Sequence, residues 1–366
     1  MRIIMTGGGT GGHIYPAIAI ADEFKRRDPN AEILFVGAEI GMEKDIVPAR
    51  GYRIELIEAD GFSRNLRGNI LTATRVMKGS MQARRLIRRF KPDFVVGTGG
   101  YASAPVVIQA QNMKIPTFIH EQNAIPGFTN KFLERRVNKV FLGFAKAGES
   151  FKYKDKHVLA GNPVRSEFMS MNKEEARAKL GFGPSDFVVL SFGGSQGAGR
   201  INKAMIDTIG QMRNDQDMVF CMGTGSYYYD AICRDVKERG LEGGDRVRIM
   251  EYIEDMASYL SAADLVISRS GALTVAEVTI CGAPTIFIPF PQAADNHQYY
   301  NAMAVAQEGG AVVIEEKDLT ETTLSEQIQK LRRDPVILAD MSEKSRKCGP
   351  VKAAQIICDT IIEACR

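Results

Sequence analysis

This sequence predicts an α/β protein with two doubly wound domains, and three observations carry the prediction. Short apolar runs alternate with helix-spaced segments along the chain, as parallel sheets with crossover helices require. The alternation pauses once, at Gly161-Asn162-Pro163-Val164-Arg165, where asparagine–proline marks a turn, and then restarts. Glycine-rich turns follow apolar runs at residues 7–13, 193–198 and 268–277, and each leads into a helical segment. Strand, glycine turn and helix start together aim backbone N–H groups at an anion. Three such junctions point to a site for a phosphorylated ligand.

The totals agree with two soluble domains. A chain of 366 residues is long for one core, and 45% hydrophobic with 25% charged residues is ordinary for a globular protein. A net charge of +3 does not call for nucleic acid. The cysteines at 221, 233, 281, 348, 358 and 365 form no CxxC pair and fall mostly in apolar runs, so reduced thiols in a cytoplasmic protein are expected. Met1-Arg2-Ile3-Ile4-Met5-Thr6 reaches glycine too soon for a signal-peptide core, and no run approaches about 18 apolar residues.

Taken in order, Ile3-Ile4-Met5 reads as a buried strand, followed by Gly7-Gly8-Gly9-Thr10-Gly11-Gly12-His13. Pro16 is expected in the first turn of the helix that continues through Ala17-Ile18-Ala19-Ile20-Ala21. Further strands are expected at 33–36, 54–57, 94–96, 117–119 and 140–142. A polar helix, 173–180, opens the second half, and strands are expected at 187–192, 219–221, 247–249, 265–267 and 285–288. A helix over 351–365 follows Gly349-Pro350. The predicted domains are 1–163 and 164–349, with 350–366 as a closing helix. Ligands of such sheets bind at the carboxyl ends of the strands, which places the glycine turns at a cleft between the domains.

Each motif has a plain alternative. Gly7-x-Gly9-x-x-Gly12 satisfies the dinucleotide fingerprint, but the second strand runs into Gly37 where a ribose-binding acid belongs, and Glu39 lies just beyond. Gly193-Gly194-Ser195-Gln196-Gly197-Ala198-Gly199-Arg200 nearly matches a P-loop, yet the Lys-Ser/Thr ending is missing, which disfavours ATP hydrolysis. Asp215-Gln216-Asp217 has the form of a metal-holding DxD but precedes its strand, so it reads as a solvated loop. Four histidines without ligand spacing predict no protein-bound metal. Gly97-Thr98-Gly99-Gly100-Tyr101 and His120-Glu121-Gln122-Asn123 add polar groups to the same strand edge. Between Arg67 and Lys91, Arg75, Lys78, Arg84, Arg85, Arg88 and Arg89 interleave with Leu71, Val76, Met77, Met81 and Leu86. A solvated face is the usual reading of such a helix, but the mixture also suits an anionic bilayer surface.

Together these motifs resemble the MurG family, the N-acetylglucosaminyltransferases that convert lipid I to lipid II in bacterial peptidoglycan synthesis. The resemblance rests on Gly8-Gly9-Thr10-Gly11-Gly12-His13, Gly97-Thr98-Gly99-Gly100-Tyr101, His120-Glu121-Gln122-Asn123, Gly161-Asn162-Pro163-Val164-Arg165, Gly193-Gly194-Ser195-Gln196-Gly197-Ala198, Arg269-Ser270-Gly271-Ala272 and Asp295-Asn296-His297-Gln298, in that order over nearly the whole chain. It implies a GT-B fold with the last helix returning to the N-terminal domain. It also implies UDP-N-acetylglucosamine as donor and polyprenyl-linked lipid I as acceptor. No cofactor and no nucleic-acid partner are expected. The expected location is peripheral, on the cytoplasmic side of the cell membrane, through the basic helix near 70–91.

The resemblance also implies roles. Ile253 would meet uracil through its backbone, and Arg165 and Ser195 would contact the nucleotide. Ala272, Leu273, Thr274, Val275, Ala276 and Glu277 would form the cradle, with amides at the diphosphate and Glu277 on the ribose. Gln298 would hold the sugar, approached by Thr10, Gly11, Gly12 and Asn123 from the other domain. Gly12, Gly99, Gly100 and Tyr101 would form loops for the acceptor diphosphate. Ala104 departs from a position where the family commonly has glycine. The implied chemistry is an inverting displacement, with oriented amides in place of a metal. His13 is the first candidate to take the hydroxyl proton and Glu121 the second, since an imidazole exchanges protons near neutrality. The residues leave three alternatives open: another GT-B enzyme of UDP-sugars such as a lipid glycosyltransferase or a 2-epimerase, a nicotinamide oxidoreductase, and a non-catalytic nucleotide-binding scaffold.

Overall fold

The alternation of the sequence becomes two all-parallel sheets. The computed structural model describes residues 1–59, 66–194, 196–320 and 322–366, with the side chains of 66–76 left undescribed. The chain divides into two compact units, residues 1–165 with 352–366 and residues 166–351.

In the first unit the strands are β1 (Arg2–Thr6), β2 (Glu32–Ala38), β3 (Arg53–Ile57), β4 (Phe94–Gly97), β5 (Thr117–Glu121), β6 (Lys139–Leu142) and β7 (His157–Leu159). Their order across the sheet is β3-β2-β1-β4-β5-β6-β7. The side-chain period of two explains why the middle of β1 is an unbroken apolar run: Ile3 and Met5 enter the core on one face, Ile4 the core on the other. The helix Gly11–Arg27 covers the first face with Ile14, Ile18 and Phe24. The helix Ala353–Ala364 joins that face through Ile357, Cys358 and Ile361, and Arg27 pairs with Asp359 at 2.5 Å. The opposite face is covered in part by Ala83 and Ile87 of the helix Leu66–Phe90.

The second unit repeats the plan with β8 (Phe187–Phe192), β9 (Met218–Gly223), β10 (Val247–Met250), β11 (Leu265–Ser268), β12 (Thr285–Phe287) and β13 (Ala311–Val313), ordered β10-β9-β8-β11-β12-β13. Each sheet has one point where the strand order reverses beside its first strand, between β1 and β4 and between β8 and β11. A doubly wound sheet opens a crevice there, at the carboxyl ends.

Two edge strands, β7 and β13, were not anticipated. Each has three residues, too short for an alternating pattern, and pairing to β6 or β12 defines them. The helix after β1 begins at Gly11, so Pro16 lies in its second turn rather than its first. Proline lacks the N–H that would reach the Gly12 carbonyl, which leaves that carbonyl without its helical donor at the strand edge.

Candidate active site

The rim of the first unit is built from the loops after β1 and β4, on either side of its switch point. Gly8 N–H donates to the Gly99 carbonyl at 3.3 Å. Gly100, at φ +81, lies so close that a Cβ there would stand 2.2 Å from the Gly8 oxygen. Such an approach admits only glycine. His13, in the first turn of the helix Gly11–Arg27, places Nδ1 3.0 Å from the Gly8 oxygen. A carbonyl can only accept, so Nδ1 carries the proton and Nε2 presents its lone pair. A Cβ on Gly99 would stand 3.1 Å from that Nε2, so this glycine keeps the approach to the ring open.

A buried network braces this rim from below. Thr98 Oγ1 donates to the His13 carbonyl at 2.7 Å, and Gln122 Nε2 donates to the Thr98 carbonyl at 2.9 Å. The same Gln122 nitrogen lies 2.9 Å from His120 Nδ1, while His120 Nε2 lies 3.0 Å from the Gly161 carbonyl. His120 therefore bears its proton on Nε2, and burial pushes its pKa down to about 4. It is a neutral strut between β5 and the turn after β7.

Glu121 is buried, and both of its oxygens are in use. Oε1 accepts from Asn123 N–H at 3.0 Å, and Oε2 accepts from Gly127 N–H at 3.1 Å and Asn130 Nδ2 at 2.9 Å. This carboxylate ties down the loop that carries Asn123. Thr10 and Gly12 are exposed, Gly11 and Asn123 are half-buried, and Tyr101 is exposed. Arg165 lies over the Tyr15 ring at 5.5 Å. Ala104 sits half-buried in the first turn of the helix Ser103–Asn112.

In the second unit an open cleft of about 1280 Å³ lies along the carboxyl ends of β8, β11 and β12, and Gly193, Gly194, Gly271, Thr274 and Gln298 all line it. Gly271 caps the helix Ala272–Cys281, whose first helical bond runs from Val275 N–H to the Gly271 carbonyl at 2.9 Å. Helix geometry leaves the N–H groups of its first turn without an intrahelical acceptor, a ready site for an anion. Gly197, at φ +81, fits against the Thr224 carbonyl where a Cβ would stand 1.9 Å away, and Asn202 Nδ2 donates to that carbonyl at 2.9 Å.

Polar ties hold the opposite wall. Ser270 Oγ donates to the Gln298 carbonyl at 2.8 Å, and Phe290 N–H donates to Gln298 Oε1 at 3.0 Å, which turns the Gln298 amide nitrogen toward other acceptors. Arg269 donates to the carbonyls of Ile288 and Pro289 at 3.0 and 3.1 Å and pairs with Glu316. Glu277 is half-buried one turn beyond the cradle, and Ile253 is buried beneath Gly223; neither lines the cleft. Ser195 lies outside the described residues. Both acids of Asp215-Gln216-Asp217 bind Arg332, at 3.0 and 2.5 Å, and the guanidinium holds the Asp217 carboxyl below its usual range.

Residues 3–142 match the glycosyltransferase family 28 N-terminal domain and residues 188–357 its C-terminal domain. The chain belongs to glycosyltransferase family 28. Within the family it is 43% identical, over 99% of its length and 97% of the relative's, to a protein of Acetivibrio thermocellus named UDP-N-acetylglucosamine–N-acetylmuramyl-(pentapeptide) pyrophosphoryl-undecaprenol N-acetylglucosamine transferase. The crystal structure of Acinetobacter baumannii MurG is similar with a TM-score of 0.78 and 27% identity over 99% of both chains. The fold of this family 28 chain is therefore GT-B. The UDP-GlcNAc 2-epimerase of Neisseria meningitidis, bound to UDP-GlcNAc, shares that fold alone, with a TM-score of 0.71 and 14% identity over 99% of this chain and 100% of that one.

Several residues of this family 28 site escape sequence reading. Glu43 accepts the Gly9 N–H at 2.8 Å from a helix 34 positions along the chain. Gln122 was visible only as a member of a motif, and Glu316 gave no signal. Their partners are brought close by tertiary packing, which no local pattern encodes.

Proposed function

We propose that the chain transfers N-acetylglucosamine from UDP-N-acetylglucosamine to the C4 hydroxyl of the N-acetylmuramyl sugar of lipid I, releasing UDP and forming β-1,4-linked lipid II. The observation that carries this reading is the 43% identity, over 99% of the chain, to a transferase named for that donor and acceptor. The rim chemistry fits it. In the second unit the cradle 271–274, with Ser195, receives the diphosphate; Glu277 binds the ribose diol, Ile253 the uracil and Gln298 the sugar, while Arg165, the last residue of the first unit's main segment, serves the nucleotide. In the first unit Thr10, Gly11, Gly12 and Asn123 serve the donor sugar, and Gly99, Gly100 and Tyr101 the acceptor diphosphate.

The acceptor hydroxyl oxygen attacks the anomeric carbon opposite UDP. The bond to the diphosphate breaks, its electron pair leaves with UDP, and inversion produces the β linkage. Oriented N–H groups favour the charge that grows on the leaving group. His13 Nε2 takes the hydroxyl proton, a role supported by the Nδ1–H bond to Gly8. Glu121 suits this role less well, because a proton on either oxygen would displace a loop hydrogen bond.

The acceptor's lipid stays in a bilayer, and we assign its surface contact to the helix Leu66–Phe90. Met77, Met81, Arg84, Arg85 and Arg88 are exposed there, with Met77, Met81, Arg84 and Arg88 on one face at helical spacing. No helix of the described residues is long and apolar enough to cross a membrane, so the attachment proposed is peripheral, on the cytoplasmic side. Reversing the charge of Arg84, Arg85 and Arg88 together should weaken binding to anionic vesicles by about 100-fold. Unchanged binding would return the helix to an ordinary solvated face.

The central test incubates purified protein with UDP-N-acetylglucosamine and a short-chain lipid I analogue, with and without a chelator. Acceptor-dependent transfer that survives the chelator is expected. UDP release without acceptor, or C2 epimerisation of the donor, would overturn the reading.

A further inference from the structure

Behind the glycine loop of the first unit stands a carboxylate with no part in the chemistry described above. Glu43 opens the helix Glu43–Ala49 and is wholly buried. Its Oε2 accepts from Gly9 N–H at 2.8 Å and its Oε1 from Ala38 N–H at 2.9 Å. A Cβ on Gly8, Gly37 or Gly41 would stand 2.0, 2.5 or 2.1 Å from a Glu43 side-chain atom, so three glycines close around the carboxyl. Among the described residues no cation pairs with it. Both oxygens accept from backbone N–H groups, the geometry a carboxylate needs, and the fold keeps this buried carboxyl beside the glycine loop that carries His13.

The peptide between Gly8 and Gly9 connects the two. In a trans peptide the C=O and N–H point in opposite directions. Here the Gly9 N–H faces Glu43, and the Gly8 oxygen accepts from His13 Nδ1 at 3.0 Å. Carboxylate, peptide and imidazole thus form one hydrogen-bonded chain. We propose that Glu43 is a positioning residue for His13, acting through the Gly8–Gly9 peptide as the orienting carboxylate of a catalytic triad acts on its histidine directly.

The proposal rests on His13 as the proton acceptor. The carboxylate polarises the peptide, which makes the Gly8 oxygen a stronger acceptor and holds the tautomer with Nε2 free. When Nε2 takes the hydroxyl proton, the Nδ1 proton stays in place. The positive ring then faces the negative carboxylate through the polarised amide. Another ionisable group close enough to interact with His13 is His120, which burial keeps neutral, at about 4, and which therefore adds no charge at neutral pH.

The test is Glu43→Gln in the full-length protein, with the His13 ring followed by NMR and turnover measured across pH. The His13 ring is expected to titrate at lower pH, by roughly tenfold in proton concentration, with kcat lowered about 10- to 100-fold and donor KM changed less than about threefold. In a His13→Ala background the effect on kcat should shrink to within about twofold. An unmoved titration in the folded variant, equal losses in both backgrounds, or a change confined to KM would overturn the proposal. Normal turnover by His13→Ala together with a moved titration would keep the coupling and reject His13 as proton acceptor. Should Glu43→Gln fail to fold, Glu43→Asp keeps the charge but withdraws it by one methylene, and the same outcomes decide.

Discussion

The two switch points have the same topology and opposite chemistry. At β1 and β4 the glycine loops rest on buried ionisable groups: Glu43 holds Gly9, Glu121 holds the loop after β5, and His120 braces the turn after β7. At β8 and β11 they rest on neutral groups, with Asn202 and Ser270 as ties, and the charged Arg269 is matched by Glu316. A rim that holds an anion needs rigid N–H groups and little else. A rim that moves a proton needs groups whose charge and tautomer are fixed by their surroundings. In the proposed function the same fold supports passive binding in one unit and acid–base work in the other, and the loops of the two units differ in what is buried beneath them.

The largest test of that contrast is His13→Ala. It should lower kcat by about 100-fold or more with little effect on donor KM, as read in steady-state transfer assays; near-normal turnover would remove proton handling from the first unit. Next comes acid stability. His120 is held neutral with its value at about 4, below the roughly 6.5 of an unfolded histidine, so below pH 6.5 the unfolded chain binds the extra proton. Stability should therefore fall as pH drops from about 6.5 toward 4. Between pH 7 and 5 the loss should be about 2 kcal/mol, and it should largely vanish in His120→Gln, as measured by denaturant melts at the two pH values. A variant that keeps the full acid loss would mean that the strut is not a buried neutral ring. The smallest effect is expected in the second unit. Glu277→Ala should raise donor KM about tenfold and leave kcat within about twofold, the worth of one good pair of hydrogen bonds; an effect on acceptor kinetics alone would move Glu277 out of the donor site.

Much of this was legible before any coordinates. The glycine junctions, the strands that feed them and the pause before the second unit are local patterns, and runs buried on both faces are readable because every residue in them is apolar. Where reading failed, the cause was again physical. Pro16 was expected in the first helical turn, but the Thr10 carbonyl accepts from His13 and Ile14 N–H at 3.1 and 3.2 Å, so the helix begins earlier. For Glu121, the second candidate for the proton, the sequence did not show that both oxygens accept from N–H groups up to nine positions away.

By itself, then, the sequence determined the α/β architecture, the position of each phosphate-type turn and the family resemblance, because periodicity and glycine turns act over a few residues. Only the tertiary structure decided which nitrogen of His13 is free, that His120 is a neutral strut, and that Glu43 stands behind Gly9. The last two depend on burial and on partners that the chain brings together from tens of residues apart, and the first on a loop conformation that turns the Gly8 carbonyl onto a ring five positions along, none of which a residue's neighbours in sequence set.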